Sequence, residues 1–184
     1  EGEGKGGDEC LWRKLPISVL LMRGQSLARL NRMNEAEEES FHIILHSHVH
    51  TNAKAIFAVG EEYRRLGGHD DYIRARNIFL YLLGNQEVWP GLLVSLGIVS
   101  KHLWLALGDA QLLCEAKLFF EKVLSSFGAQ SEAALHLAEL YENEQRMEDA
   151  LELLRMHLVC VQQKMKQIMV ANEKNVSESL SQNE

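Results

Sequence analysis

Three groups of residues have types and spacings that chemistry requires. Glu38, His42 and His46 recur every four positions, with His48 and His50 close behind, so a carboxylate and two imidazoles share one face if the segment is helical. Such a set can ligate zinc or another divalent cation. No cysteine lies nearby and the segment runs out of a helix into a connection, so solvated or hydrogen-bonded histidines are the simpler expectation. His157 stands three residues before Cys160, within reach on a helix. A thiolate nucleophile also needs an oxyanion site and a group to orient its base, and no motif supplies them. Cys114, in Leu112-Leu113-Cys114, reads as a small buried hydrophobe. Asn175-Val176-Ser177 is formally a glycosylation sequon, expected to be unused because no secretory signal is read at the start of the chain. There is no glycine-rich phosphate loop after a strand and no HExxH. The chain is expected to be no enzyme, with no catalytic residue, no bound metal and no cofactor.

The elements that would position any site are constrained by composition. Of 184 residues, 46% are apolar and 24% charged, a globular balance that excludes wholesale disorder and a polytopic membrane protein. Nineteen basic against 26 acidic residues give a charge of −7, which argues against nucleic acid as a partner. Two prolines argue against most all-β folds, and three scattered cysteines against a disulfide framework. A reducing, intracellular setting, cytoplasmic or nuclear, is expected. EGEGKGGDE at the start lacks large apolar groups, and the missing initiator methionine suggests a processed chain or a fragment. Residues 1–10 are expected to be a disordered lead-in, 11–171 the folded domain, and 172–184 a disordered polar tail.

Within the domain, apolar residues recur at three- and four-residue steps, as in Leu135, Ala138, Tyr141 and Leu151, Leu154, Leu158, and no stretch alternates. Glycine and asparagine punctuation at Leu30-Asn31, Gly67-Gly68, Gly84-Asn85, Gly108-Asp109, Gly128 and Glu142-Asn143 divides the chain into about eight helices. The pattern predicts them near 14–30, 34–48, 52–66, 70–83, 87–107, 110–126, 130–143 and 147–170.

The helices repeat. In SEAALHLAELYENEQRMEDALELLRMHL, the small Ala138 is followed by Tyr141 three residues on and Ala150 twelve on. Gly24, Leu27 and Ala36 keep the same separations, with Ser40 where an aromatic is expected and Phe41 one step late. Gly60 and Tyr63 match too, but Ala75 comes fifteen residues after Gly60, as if three residues were inserted in the turn. In the third unit Ala116 and Phe120 mirror Ala75 and Phe79, whereas Lys101 stands where a small residue belongs. The pattern resembles the tetratricopeptide repeat over roughly residues 15–160, with alanine-to-alanine spacings of 39, 41 and 34. The resemblance implies an all-α, right-handed superhelix of about four antiparallel hairpins, a TPR-like α-solenoid with a C-terminal capping helix. Leu158, Val161, Met165 and Ile168 form the expected capping stripe, with a coiled coil or partner helix as its other use.

Such arrays present a concave surface, lined by the first helix of each hairpin, to a segment of another protein. The expected lining is Leu21, Gln25 and Arg29; Lys54, Phe57, Glu61 and Arg64; Ile98, His102 and Leu105; and Leu135, Glu139 and Glu142. The lysine and asparagines with which chaperone-binding members of the family clamp a terminal carboxylate are not matched, since the first hairpin offers Leu21 and Gln25. A scaffold or adaptor subunit of a multiprotein complex is the function implied. The alternative is membrane association through residues 88–108, the most apolar window, opposed by Lys101 and His102 near its middle. Within a soluble repeat, Lys101 would reach outward.

Overall fold

A computed structural model describes residues 15–47, 52–85 and 88–181, so the lead-in 1–10, together with His48 and His50, lies outside the described residues. The described chain forms eight helices and no strand. They are α1 (Ile17–Arg29), α2 (33–47), α3 (Ala53–Leu66), α4 (His69–Asn85), α5 (Pro90–Leu107), α6 (Ala110–Phe127), α7 (Ser131–Asn143) and α8 (Met147–Ser181). Consecutive helices pair as four antiparallel hairpins stacked into a right-handed, TPR-like α-solenoid, the fold class the repeat pattern implies.

Local chemistry sets the helix ends. The side chain of Asn52 accepts the Ala55 N–H at 3.0 Å, and that of Asp109 accepts the Gln111 N–H at 2.9 Å. Pro90 opens α5, where its missing N–H costs nothing. α3 and α5 stop at Gly67 and Gly108, whose φ of 77° and 70° place them in the left-handed region that glycine tolerates best. α1 and α7 stop at Asn31 and Gln145, both with φ of 62°. Asparagine advertises such a turn; glutamine does not, and Glu142-Asn143, read as punctuation, ends with Asn143 still helical.

One close crossing recurs within the hairpins. A Cβ added to Gly24 would lie 2.4 Å from Phe41, one at Gly60 2.4 Å from Phe79, and one at Gly97 2.5 Å from Phe120. In each case the helices approach so closely that the aromatic ring occupies the space of the missing side chain. The small residue of the third hairpin is therefore Gly97, not position 101, because α5 runs four residues longer past its glycine than α3 does, from 97 to 107 against 60 to 66. The three residues expected as a turn insertion instead lengthen the helices: α3 and α4 are joined by Gly67 and Gly68 alone. The late Phe41 is also explained. Glu37–Phe41 forms a π-helical turn that absorbs one extra residue and brings Phe41 onto Gly24.

The buried core follows these contacts. Leu20, Phe41, Ile44, Ile56, Phe79 and Leu96 belong to one cluster running through the first three hairpins. Leu93, Ile98, Phe120, Leu137 and Leu140 belong to a second between the third and fourth. α5 is long and apolar enough to cross a membrane by length and composition, but Leu92 through Lys101 are all buried against other helices of this chain. Lys101 does not reach outward, and Cys114, expected to be buried, is exposed.

α8 departs most from expectation. It runs through position 171 to Ser181, ten residues into the segment expected as a disordered tail. Ala150 is buried and Leu153 half-buried against α7. Leu158, Met165 and Ile168 of the expected capping stripe are exposed instead.

Candidate functional site

The first helices of successive hairpins touch, α1 on α3, α3 on α5 and α5 on α7, so they form one continuous layer. Among the described residues the second helices α2, α4, α6 and α8 make no comparable contact with each other. A layer closed on one side and splayed on the other curves toward the closed side, which makes the first-helix layer the concave one.

Polar side chains bridge that layer. On α3, Glu61 accepts two hydrogen bonds from the Arg64 guanidinium, with Nη2 at 2.6 Å, and a third from the Ser95 hydroxyl of α5 at 2.6 Å. On α5, Lys101 leans the other way: its ammonium donates to His136 Nδ1 at 2.9 Å and pairs with Glu139, both on α7. The Lys101 side chain is 8% exposed and that of Glu139 54%, so the pair sits at the groove wall with its cation inside and its anion in water. The hydrogen bond from Lys101, opposed by partial burial, holds the Glu139 carboxyl below its usual range. His136 Nδ1 also lies 3.1 Å from Glu139 Oε2, so the three side chains form one cluster. The His136 ring stacks on Phe120, 5.6 Å between centroids, which ties this polar cluster to the Gly97 crossing beneath it.

At 100° per residue, Ser95 and Lys101 mark the two edges of α5, and Ile98, His102 and Leu105 fall on the arc between them. Leu105 is exposed as expected. His102 is half-buried and lies flat on Tyr72 of α4, 4.8 Å between centroids. Burial first, then the Lys101 charge, lowers its pKa and keeps the ring neutral. Ile98 does not line an open surface: it is buried in the second core cluster, because α5 is hemmed in by neighbours from Leu92 to Lys101.

The other expected lining residues divide by helix. On α1, Leu21 and Gln25 are half-buried and Arg29 is exposed; on α3, Lys54 is exposed. Phe57 is half-buried and packs on Phe79 and edge-on to Trp89, so it supports the layer as much as it faces the groove. On α7, Leu135, Glu139 and Glu142 are exposed, as is Glu132, which the periodicity also places on that face. Helix phase does not single out Ser95, Lys101 or His136 as part of this layer. Each is a polar residue in an apolar or helical context that periodicity alone assigns to core or solvent.

The remaining chemical candidates stay apart. The rings of His42 and His46 lie 4.1 Å apart, tilted by 45°, and among the described residues no group of three potential metal ligands converges. His157 Nε2 meets the Ser131 hydroxyl at 3.1 Å, while Cys160 is exposed.

No protein-family model matches the chain, and no curated protein matches it in sequence. Two solved structures, described as "Crystal structure of MamA" and "Crystal structure of MamA protein", are similar in fold. Each has a TM-score of 0.61 and 19% identity over 82% of this chain, covering 81% and 75% of the respective structures. That likeness concerns the fold.

Proposed function

We propose that the chain is a protein-interaction scaffold, an adaptor subunit whose concave first-helix layer takes up an extended or helical segment of another protein. The observation that carries this reading is the sorting of charges that the layer leaves free. Arg64 and Lys101 are held by Glu61 and Glu139, whereas Arg29 and Lys54 at one end, and Glu132 and Glu142 at the other, have no ion-pair partner among the described residues. Leu105 and Leu135 stand exposed between the two ends. A segment with acidic residues toward α1 and α3 and basic residues toward α7 matches this field, and the reversed alignment sets like charges together.

Affinity capture from cell extract with the folded chain as bait, read by mass spectrometry, tests the reading. Proteins that the wild type retains should be lost with Arg29→Glu/Lys54→Glu, and with Leu135→Glu, and should be kept with Lys122→Glu on the exposed side of α6. Retention should also weaken with added salt, because exposed charges are screened. A captured set indifferent to both groove variants and to salt refutes it.

A further inference from the structure

We propose that α8 joins a second copy of this chain in a parallel two-stranded coiled coil along the seam from Met147 to Asn172. Apolar residues fall at Met147, Leu151, Leu154, Leu158, Val161, Met165 and Ile168, in alternating steps of four and three. That is the 3.5-residue period that keeps a stripe turned toward one partner helix over many turns. α7 takes a neighbouring arc of α8, the one carrying Ala150, Leu153 and His157. Leu158 is 57%, Met165 58% and Ile168 58% exposed, so the seam has no partner within the chain there. α8 has 35 residues and α7 has 13. At about 1.5 Å per residue, about 30 Å of α8 extends past the helix it packs on, leaving room for a second copy alongside.

One residue of the seam selects that occupant and its direction. Ala150 and His157, which flank the seam, are held by α7 and take no part in the choice. Asn172 continues the heptad after Ile168, and in parallel alignment it faces its own counterpart, so that each amide finds a hydrogen-bonding partner across the seam. Opposite an apolar partner residue, or in lipid, the same amide loses its partners on burial.

The 26 seam positions from 147 to 172 span about 39 Å. With a contact width of about 10 Å, the two faces bury roughly 800 Å² together, below the ~1,200–2,000 Å² of tight complexes. An interface of that size makes a weak, reversible pair, and the seam shares no residue with the proposed groove.

Sedimentation equilibrium of the full chain across micromolar concentrations should show the mass rising from monomer to dimer. Leu158→Lys/Met165→Lys, at two exposed positions, should leave helical circular dichroism and melting temperature unchanged and hold the chain monomeric throughout. In a chain with Cys10, Cys114 and Cys160 replaced by serine, Met165→Cys should oxidise to a disulfide-linked dimer, since only parallel alignment brings position 165 to its counterpart. A wild type that stays monomeric, a lysine variant that dimerises like the wild type, or a Met165→Cys chain that does not cross-link overturns the proposal. So does a monomer that instead sediments with phosphatidylserine vesicles, which would assign the basic, apolar stretch after Glu152 to a membrane surface.

Discussion

Gly97→Ala probes the closest approach in the third hairpin. In the interior of a helix, alanine is worth about 1 kcal/mol more than glycine, so on propensity alone the substitution stabilises. The new Cβ, however, would lie 2.5 Å from Phe120 Cε1, 2.7 Å from Cζ and 2.9 Å from Cδ1. Carbon atoms pack at about 3.5–4.0 Å, so the ring must retreat by about 1 Å. Phe120 is fully buried, and its retreat runs into His136. Overpacking of this kind costs about 1–3 kcal/mol, which after the propensity gain leaves a net loss of up to about 2 kcal/mol. For a chain of this size that lowers the melting temperature by up to roughly 8 °C. Gly84→Ala is the matched control, since nothing lies within 4 Å of a Cβ there, and it should gain up to about 1 kcal/mol. Thermal unfolding followed by far-ultraviolet circular dichroism separates the two. Phe120→Leu should remove most of the penalty, giving a coupling above about 0.5 kcal/mol in the double-mutant cycle. If Gly97→Ala stabilises as much as Gly84→Ala, Phe120 is not seated on Gly97 and the third hairpin is wrongly phased.

Ala150→Phe should cost on the order of 1–3 kcal/mol by overpacking the fourth hairpin, while Glu152→Phe on the exposed face of α8 stays within about 0.5 kcal/mol in thermal melts. Ser40 and Ser100 are buried with no hydrogen-bond partner for either hydroxyl, so Ser100→Ala should raise the urea midpoint, corresponding to about 1 kcal/mol. The lowered pKa of His102 means that the unfolded chain takes up its proton first on acidification. Its contribution is therefore present above the unfolded value near 6.5 and lost as pH falls through and below it, and His102→Gln should flatten that part of the stability–pH curve. Glu139 acts lower, because its depressed pKa supplies stability above the ordinary carboxylate value that fades on further acidification. Glu139→Gln should remove that acid limb in equilibrium urea titrations.

Much of this architecture is legible in the chain, because glycine at a crossing and apolar residues at helical steps are local signals. Gly24, Gly60, Ala138 and Ala150 set the hairpin scheme by their spacing alone. The third hairpin is harder to read for a physical reason: α5 is apolar on nearly every face, so periodicity gives no phase, and repeat spacing points to Lys101 where Gly97 makes the crossing. Ser40 looked like a flaw in the repeat because a π-helical turn cannot be inferred from spacing that assumes 3.6 residues per turn. At the groove, exposed Arg29, Lys54, Leu105 and Glu142 follow from helix phase alone. Lys101, His136 and Ser95 required the neighbouring helix to be in place, since each is defined by what it reaches across the layer.

The outer side of the solenoid is stitched differently from the inner. Where the second helices splay, Glu37 of α2 pairs with Arg74 of α4, Arg76 of α4 with Glu115 of α6, and Lys117 of α6 with Glu144 beyond α7. The array is thus a spring with unlike faces: a tightly packed inner layer that sets its neutral axis, and charged, part-exposed tethers along the outer rim. Tightening the curve stretches the tethers, and relaxing it slackens them, while the inner packing changes little. Ions screen exposed charges and leave apolar contacts largely untouched, so the outer rim is the side on which ionic strength acts, and most at the half-exposed Arg74. The two sides of the solenoid thus differ in what holds neighbouring hairpins together: packed helices within, pairs of charges without.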